Sequence, residues 1–67
     1  MRKSSINKYT VSLYTREMFL KYDGAVRREI IYARTDADAL QIFTIKYENL
    51  INKTEHPLIL STLNDWF

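Results

Sequence analysis

Alternating apolar and polar residues near the start of the chain predict a β-strand. From Lys8 to Thr15, the side chains of Tyr9, Val11 and Leu13 fall on one face and polar side chains fall on the other. A period of two in β-branched and aromatic residues is typical of a strand with one buried face. We expect that face to lie against a helix.

Two further stretches predict strands. Val26 to Ala33 is charged in its first half and apolar in its second, so we expect the charged half at an exposed end or edge. Leu58 to Leu63 begins with consecutive apolar residues, so side chains on both faces of this strand are apolar. This pattern predicts the most buried strand. Pro57 cannot donate to a strand ladder, and it fits just before this strand.

A helix is predicted from Asp36 to about Leu50. Thr35 is the expected N-cap, and Asp36 and Asp38 place negative charge at the positive end of the helix dipole. At about 100° per residue, one arc of apolar side chains faces the core. Its members are Ala39, Leu40, Phe43, Tyr47, Leu50 and Ile51. Ile42 and Ile45 lie off this arc, which indicates either an irregular core that wraps the helix or a partner surface. The partner surface is favoured, and the contact could be self-association through the helix.

The segment that joins the first two strands, Arg16 to Tyr22, has two interpretations. Asp23-Gly24 favours a type I′ hairpin turn, whose register sets Leu13 opposite Arg34. A bulge near residues 15–17 would then bring the later apolar side chains onto the core face. Otherwise an apolar patch is exposed on a long hairpin, which is typical of a contact surface. That patch consists of Met18, Phe19, Leu20 and Tyr22.

These elements predict an α+β fold, with a three-stranded antiparallel sheet and one helix packed on one face in the order ββαβ. The chain has 67 residues and no cysteine, so a single domain over residues 1–67 must be stable without disulfides. Residues 1–7 are polar and basic, and we expect them to fray.

Composition argues against several classes of protein. The net charge of +2 comes from a small excess of basic residues, whereas a nucleic-acid reader of this size more often has a concentrated basic stripe. No apolar run approaches the roughly 18 residues of a membrane span, and no signal-peptide segment follows the basic start. We therefore expect a cytoplasmic protein with no membrane partner.

Catalytic, metal and cofactor motifs are missing from the sequence. His56 is the single histidine, without cysteines or an acidic cluster nearby, and an exposed loop residue is its simplest interpretation. The two aspartates at the predicted helix start are accounted for by the helix dipole. We expect no catalytic residues, no metal and no cofactor, and an enzyme is the least favoured class.

One stretch carries a family resemblance. Ile31-Tyr32-Ala33 ends a strand, Thr35 caps a helix, Ala39-Leu40 lies early in that helix and Tyr47 lies near its end. In these features residues 31–47, about a quarter of the chain, resemble small podophage proteins that inhibit bacterial RNA polymerase. The resemblance implies a phage-type protein that binds and disables a host enzyme. That family contacts the polymerase through arginines near its C-terminus, but Leu58 to Phe67 contains no Arg or Lys, so those roles are not carried over.

The sequence therefore favours a small phage-type module that inhibits or regulates a host enzyme by direct protein–protein contact. Its expected partner is a host protein, such as a nucleic-acid-processing enzyme, in the cytoplasm of an infected bacterium, and a homodimer is a further expectation. The alternative is a single-stranded nucleic-acid-binding protein that uses the basic and aromatic hairpin. Glu17, Asp23 and Glu29 on the same hairpin argue against that alternative.

The residues we expect to bind the partner combine apolar and cationic side chains. Arg27 and Arg28 either grip a phosphate or carboxylate or serve as edge charges that discourage aggregation. The C-terminal Trp66 and Phe67 either pack over the sheet or form an exposed anchor. The predicted set is Met18, Phe19, Tyr22, Arg27, Arg28, Ile42 and Ile45.

Overall fold

A computed structural model of the chain describes residues 6–21 and 24–64. Strands β1 (Asn7–Thr15), β2 (Arg27–Ala33) and β3 (Pro57–Asn64) form one antiparallel sheet in the order β2-β1-β3. Helices α1 (Arg16–Leu20), α2 (Asp36–Lys46) and α3 (Glu48–Lys53) connect the strands. The predicted α+β class, with a three-stranded antiparallel sheet and a helix on one face, is confirmed.

The core lies between β1 and α2. The side chains of Tyr9, Val11 and Leu13 are buried, as the alternation predicts. Phe43 of α2 is fully buried against them, and burial of a side chain of this size contributes about 1.5–3 kcal/mol. The buried cluster consists of Tyr9, Val11, Leu13, Ile31, Ala33, Ala39 and Phe43.

Helix α2 begins as predicted but ends earlier. The Thr35 hydroxyl accepts a hydrogen bond from the Asp38 backbone N–H at 3.1 Å, which confirms the N-cap. The expectation of one helix to Leu50 is wrong, because Tyr47 has φ −113° and ψ 29° and separates α2 from α3. The Tyr47 ring packs against the Phe43 ring, with centroids 4.9 Å apart, so Tyr47 still contacts the core where the chain changes direction. Leu50 packs against the same core.

The expected type I′ hairpin is not formed. Leu13 lies opposite Arg27, not Arg34, and Gly24 has no positive φ. Strand β1 ends because the Thr15 hydroxyl caps α1, accepting from the Met18 N–H at 3.0 Å. A helical turn therefore follows the strand where the sequence suggested a bulge or a longer hairpin. Tyr22, Asp23, Trp66 and Phe67 lie outside the described residues.

The prediction that the third strand is the most buried is also wrong. β3 has no buried residue, whereas β1 has four: Tyr9, Val11 and Leu13 on the core face and Ser12 on the other face. The reason is topological: β1 has a neighbouring strand on each side and β3 is an edge strand. Asn7 is the first residue of β1, and its side-chain amide donates to the Arg34 carbonyl at 3.1 Å. Residues 1–5 of the segment expected to fray lie outside the described residues.

Candidate functional site

None of the described helices covers most of the sheet face opposite α2, and we refer to this face as the open face. Among its side chains, Tyr32 is 63% exposed, Ile30 is 48% exposed and Leu60 is 42% exposed. Large apolar side chains exposed on one face are typical of a contact surface. Strand alternation defines its members as Lys8, Thr10, Ser12, Tyr14, Arg28, Ile30, Tyr32, Leu58, Leu60, Thr62 and Asn64.

The open face has cations and no acidic side chain in the described part of the sheet. Lys8 and Arg28 lie on it, together with hydroxyl groups such as that of Thr62. Two of its polar side chains are hydrogen-bonded between β3 and β1, since the Asn64 amide donates to the Thr10 hydroxyl at 2.9 Å. The face therefore combines positive charge, hydrogen-bonding groups and exposed apolar area.

Arg28 is held in place on the open face by two neighbours from β1. Its Nε donates to the Ser12 hydroxyl at 3.2 Å, and Nη2 lies 3.5 Å from the Tyr14 hydroxyl. The hydrogen bond from Arg28 lowers the pKa of Tyr14 below its usual value. A guanidinium positioned in this way can still offer its remaining N–H groups to a carboxylate or phosphate.

Helix α1 closes one end of the open face. The Phe19 ring meets the Tyr14 ring edge-on, with centroids 5.6 Å apart and an interplanar angle of 68°. Tyr14 is half-buried as a result, while Phe19 and Leu20 remain exposed. The short helix therefore extends the apolar surface beyond the end of the strands.

The acidic residue of β2 lies on the opposite side of the sheet. Glu29 accepts hydrogen bonds from Lys46 Nζ at 2.6 Å and from the Tyr47 hydroxyl. The bond from Lys46 has the larger effect, and both lower the pKa of Glu29. The Arg27 guanidinium lies over the Tyr47 ring, 5.1 Å from its centroid. This cluster joins α2 to the edge of β2, and it removes both Glu29 and Arg27 from the open face.

The predicted partner-binding residues fall in three separate places. Phe19 and Arg28 come together around Tyr14, and Met18 is half-buried in the same short helix. Arg27 lies on the helix side of the sheet, and Tyr22 lies outside the described residues. The remaining pair, Ile42 and Ile45, is exposed on α2, at 44% and 67%.

Sequence reasoning missed the exposed residues of the open face. Neither Ile30 nor Tyr32 belongs to the predicted partner-binding set, although their even parity in β2 separates them from buried Ile31. Leu60 was missed because β3 was predicted to be the most buried strand. The alternation in β1 was the available signal, because residues that pair with its even-numbered, polar positions lie on the face away from the core.

A small cleft lies where α1 meets the loop before β3. Its volume is about 200 Å³, and two of its lining residues are joined by a hydrogen bond from the Arg16 N–H to the His56 carbonyl at 3.1 Å. Within residues 6–21 and 24–64, no group of three or more His, Cys, Asp or Glu side chains is arranged to hold a metal ion. The cleft is lined by Thr15, Arg16, Glu17, Glu55 and His56.

Comparison with protein-family models, curated proteins and solved structures finds no match to the chain. Across the described part of the chain, no helix is long and apolar enough to cross a membrane.

Proposed function

We propose that the chain is a small protein-binding module of the phage type, which inhibits or regulates a host enzyme by direct contact. The observation that carries this proposal is the open face, where Ile30, Tyr32 and Leu60 are exposed beside Arg28. A tyrosine and an arginine next to exposed aliphatic groups are the residue types that dominate binding energy at protein interfaces.

The charge of the open face indicates the chemistry of the partner. The Arg28 guanidinium lies on this face, none of whose described strand residues is acidic, and it complements a surface that presents carboxylates. The exposed aliphatic side chains need apolar area around those carboxylates, because burial of apolar surface supplies most of the driving force. The partner surface is therefore acidic and partly apolar.

Affinity capture with two matched double variants tests the proposal. The bait is the purified chain and the source is bacterial lysate. We expect the unmodified chain to recover a stoichiometric protein, and Ile30→Asp with Tyr32→Asp to lose it, because two acidic groups then face an acidic partner. The matched control is Ile42→Asp with Ile45→Asp on α2, which removes comparable apolar area from the other side of the molecule.

The control variant also decides between the two apolar surfaces. Loss of capture with the α2 variant alone would move the contact to the helix, where the sequence placed it. Failure of the unmodified chain to recover any stoichiometric protein would contradict the proposal. Far-UV circular dichroism and a thermal melt of each variant exclude unfolding as the cause of a loss.

A second candidate function is single-strand nucleic-acid binding by the same face. The observation that favours it is the position of Glu29 on the helix side, which leaves Arg28 and Tyr32 on a face where none of the described strand residues is acidic. An exposed tyrosine can stack on a base while cations contact phosphates.

The salt dependence of oligonucleotide binding tests this second function. Affinity of the chain for a labelled single strand would fall steeply with added salt. Because Arg28→Gln removes about one phosphate contact, it would reduce the slope of log affinity against log salt concentration by about one. Lys53→Gln, at the exposed end of α3, is the matched control and should leave the slope unchanged. Absence of binding at low salt would remove this function.

A further inference from the structure

The two edges of the sheet are protected very differently. β2 carries Arg27, Arg28 and Glu29 among its seven residues, and charges of this kind discourage pairing with another chain. β3 carries no charged residue among its eight, and its one proline is the first residue. An uncharged edge of this length is a template for a further strand.

The hydrogen bonds of β3 show which of its backbone groups point outward. Thr15 lies opposite Pro57, and the Arg16 N–H donates to the His56 carbonyl at 3.1 Å just beyond that pair. The pair Thr15–Pro57 is therefore one that exchanges no hydrogen bonds, since bonded and non-bonded pairs alternate along an antiparallel ladder. The same alternation directs the N–H and C=O groups of Ile59, Ser61 and Leu63 away from β1.

These three outward-facing residues are spaced symmetrically about Ser61. An antiparallel second copy of β3, related by a two-fold axis through Ser61, sets Ser61 opposite itself and Ile59 opposite Leu63. Each of the three pairs then exchanges two hydrogen bonds, about six in all. Because β3 has no charged side chain, this self-pairing places no like charges opposite each other.

A side chain at the same position supports that register. Within the described residues, the Ser61 hydroxyl oxygen is buried and has no hydrogen-bond partner. Buried polar groups are nearly always hydrogen-bonded, so a missing partner requires an explanation. Cross-strand serine pairs hydrogen-bond, and the two-fold axis sets a second Ser61 side chain opposite the first. Rotation of the enclosed hydroxyl about χ1, toward the edge, would let the two hydroxyls hydrogen-bond. On the same side of the sheet, Leu63 is 47% exposed and would pack beside Ile59 of the second copy.

We propose that two copies of this chain associate through their β3 edges, antiparallel about Ser61, to form one six-stranded sheet. The occupant of this edge is a second copy because the register, the unpartnered hydroxyl and the absence of charge are all self-complementary. A two-fold axis perpendicular to the sheet leaves both open faces on the same side. The dimer therefore presents a doubled docking surface, although its formation does not depend on the proposed function.

Removal of one outward N–H tests the proposal without disturbing the fold. Proline at an edge position whose N–H faces outward leaves the bonds to β1 intact. Light scattering over a micromolar to millimolar concentration series should show a dimer for the unmodified chain. Leu63→Pro removes two intermolecular hydrogen bonds by symmetry, so we expect it to raise the dimer Kd at least about tenfold.

Two controls separate the edge from general effects. Leu63→Ala keeps the N–H and should still dimerise, with a modestly weaker affinity. Tyr32→Pro removes the outward N–H of the opposite edge, on β2, and should leave dimerisation unchanged. A monomer throughout the series for the unmodified chain, or equal loss with Tyr32→Pro, would overturn the proposal.

Disulfide cross-linking tests the register itself, and it does so even if Leu63→Pro fails to fold. The chain has no cysteine, and Leu60 and Thr62 are exposed. The proposed register sets Leu60 opposite Thr62 of the second copy, with Cα atoms about 4.5 Å apart, which a disulfide can bridge.

An oxidised mixture of the Leu60→Cys and Thr62→Cys chains should therefore give a covalent dimer. Each variant alone should give none, because two copies of residue 60 lie diagonally, with Cα atoms about 8 Å apart. Equal cross-linking of each variant alone, or none in the mixture, would contradict the register about Ser61.

Discussion

At the scale of single residues, a few polar side chains determine where elements begin and how they are joined. Thr15 and Thr35 each cap a helix directly after a strand, so both strand ends are set by a hydroxyl group. Glu29 joins β2 to the end of α2 through Lys46 and Tyr47. These contacts are structural, and they explain why the acidic and cap residues contribute little to the open face.

Glu29 should make stability depend on pH. Its pKa is lowered in the folded chain, so it stabilises the fold above its unfolded pKa, and that contribution is lost as pH falls through the folded value. We expect acidification to reduce the free energy of unfolding more for the unmodified chain than for Glu29→Gln. Urea denaturation of both chains at several pH values from neutral to acidic measures the difference. Parallel curves for the two chains would contradict this role.

The cap of α2 should have a measurable effect on stability. Thr35→Ala removes the hydroxyl that accepts from the Asp38 N–H, and we expect it to lower the free energy of unfolding by about 1 kcal/mol. Thr35→Ser keeps the hydroxyl and is the matched control. Urea titrations of the three chains provide the comparison, and an equal loss in the serine variant would point to the methyl group instead.

At the scale of elements, the parts that sequence patterns predict well are those where one face is buried. The core arc of the helix and the buried parity of β1 followed from periodicity, because only apolar side chains of that spacing can fill the core. α1 was missed although Arg16 to Leu20 follows Thr15 and is rich in helix formers, since the Asp23-Gly24 turn signal favoured a hairpin. The burial of β3 was overestimated because strand order in the sheet cannot be read from the composition of one strand.

The two faces of α2 should respond very differently to truncation. Phe43→Ala leaves a cavity in the core, and we expect a loss of about 3–5 kcal/mol in the free energy of unfolding. Ile45→Ala on the exposed face should change it by no more than about 0.5 kcal/mol. Denaturation of both variants tests the assignment of faces, and a comparable loss for Ile45→Ala would mean that this side of α2 is covered.

At the scale of the whole molecule, the sheet is organised about a strand that is central in space and early in sequence. β1 pairs with β2 on one side and with β3 on the other, and α3 packs Leu50 and Ile51 against the core that contains the buried side chains of β1. α2 covers one face of this sheet, and the open face carries exposed Ile30, Tyr32 and Leu60. The molecule thus separates the side that provides stability from the side available to a partner.

Hydrogen exchange should reveal this arrangement. Backbone amides of β1 are bonded to one neighbouring strand or the other, so we expect them to exchange slowest. Amides that point outward from β2, including those of Ile30 and Tyr32, should exchange fast at every protein concentration. Those of Ile59, Ser61 and Leu63 should be fast in dilute solution and become slower as the dimer forms. Slow exchange of the outward β2 amides would contradict the strand order.

The row formed by Tyr32, Lys8 and Asn64 has a practical consequence for attaching the protein to a surface or a label. Asn7 and Asn64, the first residue of β1 and the last of β3, lie at this same end of the sheet, so a bulky label attached there would cover the corner of the open face beside Tyr32. Gly24 is exposed beyond the opposite end of β1, and a side chain added there meets no atom within 4 Å. Gly24→Cys in this cysteine-free chain is therefore the anchoring point that leaves the surface unobstructed.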